Sequence, residues 1–151
     1  MEPPKKPIAF DEHAEKKRKI EQEKSLQEFV EVYKKSTDPE ASTRARENFL
    51  AAWKQGVIKL GVENFNLTCS VHEIKEKWQA PPNFEFIRKT ILNKSHGQQV
   101  LLALMYSFYD PIEGHKLCEL VRMPNFVDAR AALDDEGIKI ISELWLYYTG
   151  W

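Results

Sequence analysis

From Ser95 to Val121 the chain reads SHGQQVLLALMYSFYDPIEGHKLCELV, its densest apolar stretch. Val100, Leu101, Leu104, Met105 and Phe108 recur at the three- and four-residue steps that place side chains on one face of a helix. Ser95-x-x-Gln98 at its start is a capping box, in which the serine accepts an amide proton of the first turn and the glutamine reaches back. Asp110-Pro111-x-Glu113 stops this helix and caps the next, because proline fits the first helical turn but not the interior. The second helix carries Ile112, Leu117, Leu120 and Val121, and ends before Pro124. With its strongest apolar block built as two capped helices, the chain must form its core by packing helix on helix.

The other segments obey the same period. Residues 1 to 11 hold three prolines and little to bury, which predicts a flexible arm. From Glu12 to Lys35 there are only helix-compatible residues, without Gly or Pro. Residues 12 to 24 are nearly all charged and predict a projecting extension, whereas Leu26, Phe29, Val30 and Tyr33 form a stripe able to dock on a core. Asp38-Pro39-Glu40, with Thr37 or Asp38 as cap, opens a helix to about Leu60. Its inward face is Ala45, Phe49, Ala52, Trp53, Val57 and Leu60; Gly56 suggests a close helix contact and Gly61 a left-handed stop. A second capping box, Ser70-x-x-Glu73, predicts a short helix to about Gln79 that ends before Pro81-Pro82. Another runs from about Asn83 to Leu92, with Phe84, Ile87 and Ile91 inward.

Asn125-x-x-Asp128 opens the last region. Phe126, Ala129, Leu133, Ile138, Ile141, Leu144, Trp145 and Tyr148 keep helical period across Asp134-Asp135-Glu136-Gly137, a patch that either caps a fresh helix or kinks a continuous one. No period-two alternation is long enough for a strand. The fold class is therefore all-α: a compact single-domain bundle of about six to eight helices over residues 12 to 151, with residues 95 to 151 as its nucleus and a charged N-terminal helix projecting from it.

At 151 residues, a domain buries roughly 68–70% of the surface its unfolded chain exposes, enough for a core without disulfides. Two cysteines make no disulfide framework. Lys and Arg total 22 against 23 Asp and Glu, so the chain lacks the basic field of a phosphate-backbone binder, and nucleic acid is not the default partner. The N-terminus has no apolar run of signal-peptide type, and Val100 to Met105 is too short to span a bilayer. The expectation is a cytoplasmic protein without membrane contact.

Four groups of residues invite a chemical reading. Cys69-x-x-His72 and, in mirror order, His115-x-x-Cys118 supply two thiolates and two imidazoles, a donor set that suits tetrahedral zinc. Neither half has the glycine knuckle usual in structural sites, so without spatial convergence the cysteines are small core residues and no cofactor is expected. His96, His115 and Cys118 near a helix junction are the cast for cysteine nucleophile chemistry, with Asp110 and Glu113 accounted for as caps. Lys16, Lys17, Arg18 and Lys19 form a basic run, but Glu12 and Glu15 stand four residues before Lys16 and Lys19, the spacing of a solvated, self-paired helix face. Trp145, Tyr148 and Trp151 close the chain with large aromatics, either plugging the core or forming a contact patch. The resulting expectation is a non-catalytic interaction module for another protein, using the basic helix and the aromatic end, with homodimerisation as a variant. The alternatives are an enzyme using His96, His115 and Cys118, or a nucleic-acid accessory protein using the basic run.

Overall fold

The computed structural model describes residues 12–36 and 39–150; the arm at 1–11, the proposed cap residues Thr37 and Asp38, and Trp151 lie outside the described residues, as do the side chains of residues 12–14, 18, 29 and 31–36. Seven α-helices and no strand are found among the described residues: α1 (Glu12–Ser36), α2 (Pro39–Leu60), α3 (Phe84–Thr90), α4 (His96–Ser107), α5 (Pro111–Leu120), α6 (Phe126–Ala132) and α7 (Asp135–Leu146). The fold is all-α. The chain divides into two compact units, residues 1–42 and 43–151. In the first, α1 presents Ile20, Leu26 and Val30 to solvent. Leu26 and Val30 belong to the stripe read from the sequence.

The second unit is organised around α4. Val100, Leu101, Leu102, Ala103, Met105 and Tyr106 are all buried, so this helix is covered on nearly every side, more than the single face its period predicted. Helices α5, α6 and α7 pack on it. Behind it, α2 buries Phe49, Ala52, Trp53, Val57 and Leu60 as its spacing required. Trp53 is completely buried, and its indole N–H donates to the Ala80 carbonyl at 3.2 Å. The predicted close contact at Gly56 is present: a Cβ there would fall 2.3 Å from the Met105 Sδ and 3.5 Å from Ile140. Gly61 follows the helix at φ +96°, a conformation that glycine adopts without steric cost. Asn64 then folds back so that its side-chain amide donates to the carbonyls of Leu60 and Gly61, satisfying two acceptors that the helix end leaves open.

The segment between α2 and α3 departs from expectation. The Ser70 and Glu73 capping pair forms, the Glu73 carboxylate accepting from both the Ser70 amide and hydroxyl, but it initiates a single 3-10 turn, Val71–Glu73. The chain becomes extended at Ile74, and a second 3-10 turn occupies Lys77–Gln79. Gln79 explains the break: its side-chain oxygen accepts from the Lys75 and Glu76 amides, starting a new turn where a continuous helix would have needed those donors. Ile74 and Lys77 are thereby both carried into the interior. A bridge between Phe65 and Pro82 closes the segment against itself.

The acidic patch at Asp134 resolves as a fresh helix start, with the Asp134 carboxylate accepting from the Gly137 amide at 2.7 Å. Lys59, at the end of α2, clasps this start through Asp134 at 2.7 Å and Glu136 at 2.6 Å. These two hydrogen bonds raise the Lys59 pKa, and the Lys59 bond in turn lowers that of Asp134. Five residues that keep the helical period, Ile112, Leu120, Phe126, Trp145 and Tyr148, are exposed. Helical spacing identifies an apolar face without saying that another element covers it.

Candidate functional site

Where α4, α6 and α7 meet, their apolar faces do not close. Leu104 on α4 and Phe108, directly after it, form the floor of a groove of about 500 Å³. Phe126 and Ala129 on α6, followed by Leu133, make one wall; Ile138, Ile141 and Trp145 on α7 make the other. Phe126 is 66% exposed and Trp145 56%, and their rings stand 5.0 Å apart, tilted by 40°. This pair forms an exposed aromatic lip that nothing in the described residues covers. Among the described residues, Ser107, Arg130, Ser142 and the Tyr148 phenol bring polar groups to the lining.

A second depression shares Leu104 and Phe126 with the first and continues along α5 past Cys118, Met123 and Asn125. Its far side is set by the end of α5. There the Arg122 amide donates to the Glu119 carbonyl at 3.1 Å and the Met123 amide to the Cys118 carbonyl at 3.0 Å, a Schellman termination. Arg122 occupies the left-handed position of this motif at φ +57°, the place glycine usually takes. At the start of α6 the Asn125 side chain accepts from the Val127 and Asp128 amides, so the helix entry that carries Phe126 is fixed by its cap.

The chemistry-bearing side chains are distributed elsewhere. Cys118 is half-buried, with its sulfur 4.0 Å from the Ser107 hydroxyl, and burial pushes its thiol pKa up. A nucleophilic cysteine needs the opposite shift. His115 is exposed and its Nε2 lies 3.5 Å from Glu119; His96 is exposed at the first turn of α4. Cys69 packs against the core and His72 is exposed on the 3-10 turn after Ser70. Among the described residues, no group of three or more His, Cys, Asp or Glu side chains is placed to hold a metal ion, so Cys69, His72, His115 and Cys118 are not gathered as a four-ligand set. In the basic run, Lys16, Lys17 and Lys19 are exposed, and Lys19 pairs with Glu15 at 3.8 Å on its own helix. Of the aromatic end, Trp145 forms the lip and Tyr148 is 41% exposed.

The groove residues Phe126, Leu133 and Arg130 escaped the sequence reading as a site. The available signal was Phe126-Val127 directly after an asparagine cap: both are more than half exposed, an arrangement that spends two large apolar residues on a first helical turn.

Among the described residues, no helix is long and apolar enough to cross a membrane. Compared with protein-family models, curated proteins and solved structures, the chain shows no significant match.

Proposed function

We propose that this protein is a non-catalytic binding module whose α4–α6–α7 groove receives one amphipathic helix from a partner protein. The observation that carries this reading is the exposed Phe126–Trp145 pair over an apolar floor. Large contiguous apolar patches are uncommon on proteins that work alone and mark interaction surfaces when polar groups rim them. Aromatic side chains at the lip of a concave, pre-formed apolar site supply large contact area with few torsions to freeze, the pattern of an interface hot spot. A groove walled by two helices suits a third helix, read through anchors at i, i+3, i+4 and i+7. The raised Cys118 pKa favours binding over cysteine catalysis.

The test is a fluorescence titration with a 14-residue amphipathic peptide carrying leucines at those positions and a glutamine polar face. Saturable binding is expected, weakened at least tenfold by combining Phe126→Ala with Trp145→Ala, both exposed enough to leave the fold intact. The absence of saturable binding, or equal binding by the double variant, would count against the groove as the binding surface.

A further inference from the structure

The partner's charge is also legible, on the assumption that the groove receives a helix. Among the described residues, Arg130 is the one charged side chain lining the main depression. Arg122, Glu119 and the His115 imidazole line its continuation. Glu119 faces the His115 imidazole at 3.5 Å, so the lining offers two guanidinium groups against one carboxylate that already has a neighbour. Nearby carboxylates are engaged outside the lining: Asp128 accepts from the Asn125 side chain at 2.7 Å, Glu113 pairs with Lys116 at 2.6 Å, and Asp134 and Glu136 are held by Lys59. Asp135 and Glu143 line neither depression.

The backbone adds an independent observation. Arg122 ends α5 in the left-handed conformation, where a side chain is strained and glycine is not. A cation at a helix C-terminus gains something from the helix dipole, yet a lysine or arginine one turn earlier would gain it without strain. Arg122 lines the second depression, which shares Leu104 and Phe126 with the groove. Arginine is also the side chain suited to a carboxylate, through its two-pronged donor geometry.

We infer that the groove selects a partner helix of acidic amphipathic type, whose apolar face fills the α4–α6–α7 floor and whose flanking Asp or Glu side chains meet Arg122 and Arg130. Recognition then divides into two parts: the apolar floor supplies affinity, and the two arginines supply orientation and discrimination.

Three versions of the same leucine-anchored peptide separate these parts, with glutamine, glutamate or lysine on the polar positions beside the anchors. Wild-type protein is expected to bind the glutamate peptide at least tenfold tighter than the lysine peptide at low salt, the glutamine peptide falling between them. This spread should narrow as salt rises, because rim charges are screened. Arg130→Glu combined with Arg122→Gly should bring the glutamate and lysine peptides together or reverse their order, with the glutamine peptide still binding saturably. If the glutamine peptide binds but all three are equal, or the double variant keeps the acidic preference, the charge inference is overturned and the groove reading survives. If none of the three saturates, both are overturned.

Discussion

Trp53 and Trp145 occupy equivalent places in their sequences, each on the apolar stripe of a helix, and they end in opposite environments. Trp53 is sealed between α2 and the chain around Ala80, with Phe49 stacked 6.1 Å from it and Phe65 edge-on at 6.0 Å. Among the described residues, Trp145 has one ring neighbour, Phe126, and more than half its surface is in water. On one side of α4 the apolar faces meet at atomic contact; on the other they stop short and leave a groove. The first arrangement is what stability requires. The second costs hydration free energy and is understandable as a surface kept for something else.

Replacing each tryptophan by alanine is the sharpest way to break this contrast. Trp53→Ala should destabilise the protein by ~3–5 kcal/mol, the range for a large aromatic lost from a packed core, measured by urea unfolding. Trp145→Ala should change stability by no more than ~0.5 kcal/mol, as for a surface residue. Comparable losses would mean that the α6–α7 face is part of the core after all.

Lys77 sharpens the sealed side. Its ammonium donates to the Phe108 carbonyl at 3.0 Å and lies against the Trp78 and Tyr109 rings, yet burial lowers its pKa to about 7. Above that pH the unfolded lysine holds a proton that the folded one has released, until the ordinary value of 10.5 is reached. Stability should therefore rise with pH from about 7, with a slope approaching ~1.4 kcal/mol per pH unit for this one group. Unfolding curves from pH 6 to 9, compared with Lys77→Met, isolate it. A flat difference would show that the carbonyl and the two rings keep the ammonium charged.

Gly114 tests how closely the helices approach on α4's α5 side. A Cβ there would lie 2.5 Å from the Ser107 Cα and 2.7 Å from its amide nitrogen, backbone atoms that cannot turn away. Gly114→Ala should cost ~1–3 kcal/mol by overpacking, despite the better helix propensity of alanine.

A smaller effect concerns the groove. Arg122→Gly should relieve the left-handed strain and stabilise the fold by ~0.5–1 kcal/mol while narrowing the preference for an acidic peptide. A gain in stability with unchanged selectivity would leave Arg122 as a turn residue only.

What the sequence disclosed follows from the range of each interaction. The caps at Ser95, Asp110 and Asn125, and the choice of Asp134 between cap and kink, involve donors within three residues, so local patterning finds them or narrows them to two outcomes. Gly56 was legible for the same reason, since a glycine inside a good helix calls for a nearby backbone or side chain. Burial of Lys77 was not, because it depends on the reversal at Ile74 and on a carbonyl 31 residues away. The groove was missed for a related cause: Phe126 and Trp145 have the right period for an inward face, and period carries no information on what lies opposite.

The meeting point at Gly56 has a consequence for how this chain can change over generations. A side chain at 56 would meet both Met105 and Ile140, so residues of α2, α4 and α7 come together around this position. Substitutions at these three positions will not act independently, and double-mutant cycles among them should give interaction energies well outside the sum of the parts. A larger residue at 56 becomes tolerable only alongside a smaller one at 105 or 140, so drift at any one of the three is licensed by drift at another.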